Sequence, residues 1–338
     1  MKAVWYDRNG GSEVLTYGEL PTPSPAPGEV LVRLAASGVN PSDWKTRRGS
    51  RPMAFPRVVP HSDGAGTIEA VGEGVDRGRI GERVWLWNGQ WKRAFGTAAE
   101  YIALPAIQAV PLPDNTGFDA GACLGIPALT ALHGVLTDGG VTGRTVLVTG
   151  GAGSVGHYAI QFARLLGAAR ILATISSEEK AAHALAAGAD ATINYKSEDV
   201  AERVAALTGG AGIDRVVDID LSTTAPLLPA ILAPGGLCAA YGSNGPAASM
   251  AFGPSIMKGI AVRWFIVYEL NAAQRATAVG TLDAWLRAGL VTHAIAARVP
   301  LAECAAAHDA VEGGKFMATW CWIAEPPGGG WRPPPPHA

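Results

Sequence analysis

The sequence predicts an α/β fold with two domains, a small β-barrel or sandwich followed by a parallel sheet that helices cover on both faces. The length of 338 residues fits two domains, because one domain usually takes about 100–200 residues. Residues 1–110 contain short β-type runs separated by Pro and Gly, whereas from about residue 125 apolar strands alternate with helical stretches. Hydrophobic residues make up 48% and charged residues 17%, which is typical of a folded chain with a large core.

Composition also excludes several classes of partner. The 27 basic and 29 acidic residues give a net charge of −2, so no overall basic field would attract nucleic acid or an anionic membrane. No run approaches the roughly 20 apolar residues of a membrane span, and the start turns polar at Asp7, too early for a signal peptide. The four cysteines lie far apart without a CxxC motif, which argues against a disulfide framework or a structural zinc cluster and fits a cytoplasmic protein.

The first region is predicted to be antiparallel, since several of its runs alternate apolar and polar residues as half-buried strands do. Prolines at every second position from Pro21 to Pro27 predict an extended connector. The predicted strands are Ala3–Tyr6, Val30–Leu34, Gly66–Val71, Arg83–Trp87 and Ala99–Leu104.

The second region is predicted to be a parallel sheet, because its strands are apolar on both faces and alternate with helices. The predicted strands are Thr145–Thr149, Ile171–Ile175, Ala191–Ile193, Ile213–Ile219 and Leu237–Tyr241, and the predicted helices are Val155–Leu166, Glu178–Ala187 and Glu198–Leu207. An apolar run, Val262–Val267, and a helix, Ala272–Arg287, precede a final helix and strand that end near Ile323. The Pro- and Gly-rich tail, residues 325–338, is predicted to be disordered.

The sharpest local motif is Gly151-Ala152-Gly153-Ser154-Val155-Gly156, which matches G-x-G-x-x-G between a predicted strand and a predicted helix. In a dinucleotide-binding turn, Gly151 allows the tight bend, Gly153 lets the backbone approach a pyrophosphate, and Gly156 lets helix and strand pack closely. The phosphate would then bind the free N–H groups of the helix start, at Ser154 and Val155. A glycine-rich turn that only packs is the alternative.

The end of the second strand favours NADPH over NADH. NAD-binding forms place a carboxylate there for the ribose 2′-hydroxyl, whereas this chain has Ser176, followed by Lys180. A hydroxyl accepts a 2′-phosphate and a lysine neutralises it. The alternative is structural, because Ser176 and Glu179 have the spacing of a capping box and Lys180 is then an ordinary solvated residue.

Several segments resemble the zinc-independent quinone oxidoreductases of the medium-chain dehydrogenase/reductase superfamily, which includes the zeta-crystallin-like proteins. The resemblance covers nearly the whole chain apart from the tail. The segments are LAASGVNPSDWKTRRG, PHSDGAGTIEAVGEGVD, GERVW, ALTALHGVL, VLVTGGAGSVGHYAIQFARLLGA, EEKAAHALAAGADATINY and PLAECAAAHDAVEGGK.

The resemblance implies a Rossmann domain, a doubly wound parallel sheet, inserted into a GroES-like β-barrel domain. Residues 1–122 would form the first part of the barrel domain, 123–261 the NADPH-binding domain, and 262–324 the return to the barrel domain. The cleft between the domains would hold nicotinamide and substrate. Family members are commonly dimers joined at the edge of the cofactor sheet, and Val262–Val267 is the candidate edge or, alternatively, an inner strand.

Family positions carry over to this chain as expected cofactor contacts. Tyr195 matches a residue that lines the 2′-phosphate site with Ser176 and Lys180, and Thr130 matches a threonine near the nicotinamide. The remaining expected contacts are Tyr241, Gly242 and Ser243 after the fifth strand, and Phe265, Ile266 and Val267 beside the carboxamide. Each position has a structural alternative: Thr130 as a helix cap and Tyr195 as a cover for the sheet edge, for example.

No metal is expected in the active site. Zinc-dependent relatives have a cysteine at Asn40 and a His-Glu pair at Ser62-Asp63, and a catalytic zinc ion needs three spaced ligands. His61 is one residue away from that pair and is interpreted as structural or cleft-lining. Without a strong Lewis acid, the family chemistry suits acceptors that are already electron-poor.

Asn40 matches an active-site asparagine and is the expected catalytic residue, as a hydrogen-bond donor to the developing oxyanion; the alternative is that it only holds a turn. The tyrosine that the family often has shortly after this position is missing, so Trp44 and Lys45 are the substrate candidates, Trp44 to stack on a flat acceptor and Lys45 or Arg47 to bind its oxygen. Burial of Trp44 against the barrel and exposure of both cations are the alternatives.

The resulting hypothesis is an NADPH-dependent quinone reductase that transfers a hydride to a quinone or similar conjugated acceptor without zinc. An enoyl or alkenal reductase, which reduces an activated C=C bond, is the first alternative. An NADPH-binding sensor or structural protein with little turnover is the second.

Overall fold

The computed structural model describes residues 1–314 and 319–323, so the predicted disorder of residues 325–338 lies outside the described residues. The strands are β1 (Lys2–Trp5), β2 (Thr16–Glu19), β3 (Glu29–Val39), β4 (Asp63–Val71), β5 (Arg83–Leu86), β6 (Tyr101–Pro105), β7 (Ala109–Pro111), β8 (Thr145–Val148), β9 (Arg170–Ile175), β10 (Ala191–Asn194), β11 (Ile213–Asp218), β12 (Leu232–Ala240), β13 (Ala261–Trp264), β14 (Ile295–Val299) and β15 (Thr319–Ile323). The α-helices are α1 (Pro41–Arg47), α2 (Phe118–Gly121), α3 (Leu129–Leu136), α4 (Ser154–Leu165), α5 (Glu178–Ala186), α6 (Val200–Thr208), α7 (Leu221–Thr224), α8 (Leu228–Ile231), α9 (Phe252–Lys258), α10 (Ala272–Arg287) and α11 (Cys304–Glu312).

The chain divides into two compact units. The first contains Met1–Ile126, Leu286–Gly289 and the described residues from His293 onward, and the second contains Pro127–Trp285 and Leu290–Thr292. The expected return to the first domain at residue 262 is therefore corrected to the end of α10. The physical reason is that β13 pairs in parallel with β12, which makes this segment an integral strand of the second unit's sheet.

The first unit is built on a sheet with the order β14-β15-β3-β4-β5-β7, and β6 also pairs with β3. Every pair in it is antiparallel except β14 with β15, as the alternating sequence pattern predicts. The 11-residue strand β3 pairs with β15, β4 and β6, and its inward residues Val30 and Val32 are fully buried. This long central strand delivers Asn40 to the start of α1.

The second unit contains a wholly parallel sheet with the order β10-β9-β8-β11-β12-β13. Its central side chains Leu147, Leu172 and Val216 are at most 1% exposed, as strands apolar on both faces require. The order reverses between β8 and β11, and ligands bind doubly wound sheets at the carboxyl ends of such a pair. The predicted α/β fold class is confirmed.

No helix within the described ranges has both the length and the apolar character needed to cross a bilayer.

Candidate active site

The glycine turn follows β8, at the point where the strand order reverses. A Cβ on Gly156 would lie 2.3 Å from the carbonyl oxygen of Gly150, and one on Gly151 would lie 2.7 Å from Cβ of Ala173. A Cβ on Gly153 would meet only the Gly150 oxygen, at 3.3 Å. Gly151 and Gly156 are thus required by the fold itself, whereas Gly153, the N-cap of α4, is only partly buried and leaves the backbone open to an approaching group.

The 12-residue helix α4 begins at Ser154, so the second half of the glycine motif forms the first turn of this helix. Ser154 and Val155 are partly exposed, whereas Gly156 is buried. N–H groups of a first helical turn have no intrahelical acceptor and lie at the positive end of the helix dipole. The local geometry therefore fits the predicted pyrophosphate site.

Asp218 ends β11 beside the glycine turn, and the sequence patterns did not single it out. Its Oδ1 lies 2.8 Å from Oγ1 of Thr149, which in turn accepts the backbone N–H of Ile219 at 2.9 Å. Burial raises the pKa of the Asp218 carboxyl. This pair fixes the carboxyl ends of the two strands between which the order reverses.

Ser176 and Lys180 lie together at the end of β9. The Lys180 ammonium donates to the Ser176 hydroxyl at 3.2 Å. The N-cap of α5 is Ser177, whose hydroxyl accepts the backbone N–H of Lys180. The capping-box alternative for Ser176 is therefore wrong, because the cap falls one residue later.

Tyr195 follows β10, whose last residue pairs in register with the last residue of β9, so Tyr195 and Ser176 leave adjacent strands at the same edge. The Tyr195 side chain is 54% exposed. This position fits the expected 2′-phosphate site.

A pocket of about 530 Å³ collects most of the other expected cofactor residues. Its lining includes Tyr241, Gly242, Ser243, Phe265 and Ile266, together with Trp264, which the sequence patterns missed. The signal for Trp264 was available, since it immediately precedes the carried-over stretch.

Val267 and Thr130, which were expected beside the nicotinamide, do not line this pocket. Val267 is 3% exposed, and its carbonyl accepts a hydrogen bond from the Arg275 guanidinium at 2.5 Å. Thr130 is 4% exposed within α3. Val267 therefore has a packing role in this structure, and a cofactor contact of either side chain stays a prediction.

The Tyr241 hydroxyl is buried and has no hydrogen-bond partner among the described residues. Burial raises its pKa, so the hydroxyl stays protonated and can donate. A buried hydroxyl without a partner costs free energy, which a polar ligand in the pocket would recover.

Asn40 is the N-cap of α1 and is 2% exposed. Its amide donates to Oδ2 of Asp63 at 2.9 Å, and its backbone N–H donates to Oδ2 of Asp43 at 2.7 Å. Asp63 is fully buried, and burial raises the pKa of its carboxyl. The structure thus supplies Asn40 with a rigid second partner, Asp63, which the sequence treated only as part of a lost zinc motif.

A catalytic zinc ion does not fit these residues. Asn40 stands where zinc-dependent relatives have cysteine, and its side chain presents an N–H donor rather than a thiolate. Oδ2 of Asp63 accepts that N–H. Asn40 and Asp63 together offer at most two oxygen ligands, whereas a catalytic zinc ion needs three N, S or O ligands from the protein.

Trp44 and Lys45 contact each other on α1, with the ammonium 5.8 Å from the centre of the indole ring. Both are partly exposed, so a role at the acceptor stays a prediction. Arg47, the other cation considered, is fully buried and forms a 2.7 Å ion pair with Glu312, so it is neither solvated nor available to an acceptor.

Three further residues come together that the sequence did not connect: His61, Cys304 and His308, all buried. His61 was predicted to be structural or cleft-lining, and it is fully buried. The C-x-x-x-H spacing of the other two was the available signal, since residues four apart share one face of a helix.

Comparisons with known proteins cover both units. The model of the alcohol dehydrogenase GroES-like domain matches residues 26–114, and the model of the zinc-binding dehydrogenase matches residues 154–282. The chain is 33% identical over 322 residues to a 2-haloacrylate reductase from a Burkholderia species, with 90% of this chain and 94% of the relative covered. It is 32% identical over 315 residues to a quinone oxidoreductase from Rattus norvegicus, with 91% and 93% covered.

A solved structure extends the similarity to the fold. The Escherichia coli quinone oxidoreductase complexed with NADPH matches with a TM-score of 0.86 and 27% identity, over 96% of this chain and 100% of that one. Because the sequence similarity runs over nearly the full length of both proteins and each unit has its counterpart, this chain belongs to the quinone oxidoreductase family of the medium-chain dehydrogenase/reductase superfamily.

Proposed function

We propose that this protein is an NADPH-dependent quinone oxidoreductase that reduces a quinone or a similar conjugated acceptor without zinc. The observation that carries the proposal is the glycine turn at the point where the strand order reverses. Gly151 and Gly156 have no space for a side chain, whereas the backbone at Gly153 is accessible to an approaching group. Membership of the quinone oxidoreductase family and the NADPH in the similar solved structure support it.

The preference for NADPH over NADH rests on Ser176 and Lys180. Their hydroxyl and ammonium already contact each other at the end of β9, so a cation and a hydroxyl are presented together. An NADPH 2′-phosphate gains a charge-assisted bond there, whereas an NADH 2′-hydroxyl gains little.

The chemistry requires little of the chain beyond binding and orientation. When bound, the nicotinamide supplies the hydride. We assign Asn40 as the donor to the acceptor oxygen on which charge develops. Asp63 accepts one amide N–H and fixes the amide plane, which leaves the second N–H for the acceptor. Water supplies the proton that completes the reduction.

A panel of acceptors tests the proposal. NADPH oxidation is measured with several quinones and, separately, with enones, enoyl thioesters and 2-haloacrylates. We expect turnover with quinones, and for Asn40→Ala a fall in kcat/KM of roughly 100-fold with unchanged NADPH affinity, as for loss of one oxyanion donor. Asn115→Ala, which removes an amide that donates to the Leu286 carbonyl, is the matched control. NADPH binding without oxidation by any acceptor would contradict the proposal and favour the sensor alternative.

Reduction of an activated C=C bond is the second candidate, favoured by the similarity to a 2-haloacrylate reductase. The same hydride donor and the same oxyanion donor serve both reactions, because each acceptor is conjugated to a carbonyl. Turnover restricted to the enone and haloacrylate arms of the panel would establish this candidate and refute the first.

Cofactor choice is tested by Lys180→Ala. We expect the NADPH Kd to rise by roughly 10- to 100-fold and the NADH Kd to change by less than about 3-fold, since only NADPH carries the 2′-phosphate. Lys258→Ala, which removes an ammonium that donates to the Leu232 carbonyl, is the control. Equal weakening of both cofactors would refute the assignment.

We also propose a homodimer joined at β13. Within the described residues, β13 pairs with a strand on one side only. Large apolar side chains are exposed on β13 and the neighbouring helix α9: Trp264 is 69%, Phe252 78% and Met257 85% exposed. An apolar surface beside an unpaired sheet edge is typical of an interaction site.

Sedimentation of Trp264→Lys tests the dimer. We expect the wild-type protein to sediment as a dimer and the variant as a monomer, while Ile107→Lys, which changes a 78% exposed apolar residue of the first unit, stays dimeric. A monomeric wild-type protein would contradict the proposal. We further propose a cytoplasmic location, which the four free and buried cysteines support.

A further inference from the structure

A cluster of metal-ligating side chains lies in the first unit, apart from the residues assigned to the reaction. Nε2 of His61 is 2.9 Å from Nε2 of His308 and 3.7 Å from Sγ of Cys304, and the ligand atoms of all three lie within 4.8 Å of one another. Each of the three side chains is at most 1% exposed. We call this group the His-Cys-His cluster.

The chain builds the cluster from two places. Cys304 and His308 lie one turn apart on α11 and project from the same face. His61 precedes β4 and adopts a left-handed backbone conformation, with φ of 73°. A non-glycine residue in that region is uncommon, and such residues are often found at functional sites.

The hydrogen bonds around His61 fix its tautomer. The Thr97 hydroxyl donates to the carbonyl of Asp63 at 2.6 Å, so the Ser37 hydroxyl, 2.7 Å away, must donate to Thr97. Ser37 has only one proton, and its contact with Nδ1 of His61 at 3.1 Å therefore requires Nδ1 to be the donor. Nε2 of His61 then carries a lone pair that faces the other two side chains.

We propose that the His-Cys-His cluster binds one soft metal ion, Cu(I) in preference to Zn(II). Three ligands around one ion take a trigonal arrangement, in which two imidazole nitrogens lie about 3.5 Å apart and a nitrogen and a thiolate sulfur about 3.8 Å apart. The observed 3.7 Å between Sγ of Cys304 and Nε2 of His61 agrees, and the 2.9 Å between the two nitrogens needs an outward shift of about 0.6 Å. The ligand atoms of Cys304 and His308 lie within 4.8 Å of each other. The Ser37 contact is the outer hydrogen bond that a ligating histidine requires.

Ligand number and charge select the ion. The described His, Cys, Asp and Glu residues contribute three ligands here, whereas structural zinc is almost always bound by four. Two imidazoles with one thiolate in a trigonal arrangement are typical of copper. A Cu(I) ion with one thiolate is also electrically neutral, while Zn(II) with one thiolate would leave a net charge in a fully buried place.

Binding of Cu(I) changes no oxidation state and requires only the movement of two protons. The Cys304 thiol loses its proton to solvent as the metal–sulfur bond forms. In the metal-free cluster, Nε2–H of His308 donates to Nε2 of His61; on binding, that proton moves to Nδ1 of His308. Nδ1 of His308 has no hydrogen-bond partner among the described residues, so the proton breaks no bond there, and the outer hydrogen bond of the site comes from His61 alone.

Anaerobic titration of the full-length protein with Cu(I), against a chromogenic Cu(I) chelator, tests the proposal, with a parallel titration with Zn(II). We expect one equivalent of Cu(I) and an X-ray absorption spectrum with one sulfur and two imidazole neighbours. Cys304→Ser is expected to lower Cu(I) affinity by at least about 100-fold, and Ser37→Ala by roughly 10- to 100-fold, the range for loss of an outer hydrogen bond to a ligand.

Cys321→Ser is the matched control, because Cys321 is an equally buried thiol of the same unit that contacts the Ala297 carbonyl instead. It is expected to bind Cu(I) as the wild-type protein does. Thermal melts establish that each variant is folded, and Ser37→Ala keeps the test decisive if Cys304→Ser does not fold. Equal Cu(I) binding by wild type, Cys304→Ser and Ser37→Ala, or no binding at all, would overturn the site, and tighter binding of Zn(II) would overturn the choice of ion.

Discussion

The glycine turn of the second unit and the buried polar side chains of the first unit depend on different kinds of contact. In the turn, the N–H of Gly153 donates to the carbonyl of Gly150 at 2.9 Å, a contact between backbone atoms three positions apart, and Gly151 also lies close to the Ala173 side chain. In the first unit, contacts join side chains distant in sequence: Asn40 with Asp63, His61 with His308, and Arg47 with Glu312. A motif whose residues are close together in the sequence can be recognised from the sequence, whereas a site made of side chains that are distant in the sequence can be recognised only in the structure.

The largest effect is expected from Gly156→Ala, which tests whether the turn depends on its backbone. The added Cβ would lie 2.3 Å from the Gly150 oxygen, so the turn must move. We expect a loss of about 3–5 kcal/mol in the free energy of unfolding and loss of NADPH binding, measured by chemical denaturation and calorimetry.

Gly153→Ala is the matched comparison within the turn. An added Cβ would lie 3.3 Å from the Gly150 carbonyl oxygen, and the φ of −77° suits any residue, so the free energy of unfolding should change by less than about 1 kcal/mol. NADPH affinity should fall by 10-fold or more, because the pyrophosphate approaches the backbone at this residue. Equal stability losses in the two variants would contradict the division of roles among the glycines.

A somewhat smaller effect is expected from Glu312→Ala, which tests the long-range contacts of the first unit. The side chain of Arg47 is fully buried, and Glu312 is its ion-pair partner at 2.7 Å. Removal of the carboxylate leaves a buried charge uncompensated, and we expect a loss of about 3 kcal/mol in denaturant unfolding.

Arg48→Ala separates burial from charge pairing, since Arg48 binds the same carboxylate but is 52% exposed. An exposed pair contributes about 0.5 kcal/mol. Equal losses in the free energy of unfolding for Glu312→Ala and Arg48→Ala would show that burial of Arg47 is not the cause of the loss in Glu312→Ala.

The smallest effect is expected from the pH dependence of Asp43→Asn. Burial raises the pKa of Asp43 to about 7. A carboxyl whose folded pKa exceeds its unfolded value contributes stability at low pH and loses it as the pH rises through the folded pKa. The stability of the wild-type protein should therefore fall relative to that of the variant between about pH 4 and pH 7.

Urea unfolding of both proteins at several pH values measures this difference. One titrating group changes the free energy of unfolding by at most about 1.4 kcal/mol per pH unit. We expect the difference in this free energy between wild type and Asp43→Asn to change by about 2 kcal/mol between pH 5 and pH 7. A difference that is constant with pH would show that Asp43 remains ionised in the folded protein.

The sequence predicted the elements whose pattern is periodic. The strands of the second unit were predicted to within a few residues, because apolar runs between helices have few other interpretations. Short elements without such a pattern, including β2, β7 and α1, were not predicted. The second domain boundary was placed too early, since nothing local in Val262–Val267 shows which sheet the strand joins.

The candidate site divides in the same way. Ser176 and Lys180 were predicted from their place after a strand, and they contact each other. Trp264 was missed because pocket lining depends on how β12 and β13 end beside each other. Asp218 was missed because its contact with Thr149 joins the ends of two strands that are distant in sequence.

The sequence by itself determined the fold class, the glycine turn and the position of the candidate phosphate contacts, because each depends on residues within a few positions of one another. Only the tertiary structure decided that Asn40 is held by Asp63, that Arg47 is buried against Glu312, and that two histidines 247 residues apart meet at Cys304. These contacts depend on how strands and helices pack, and packing is a property of the whole chain that no local pattern records.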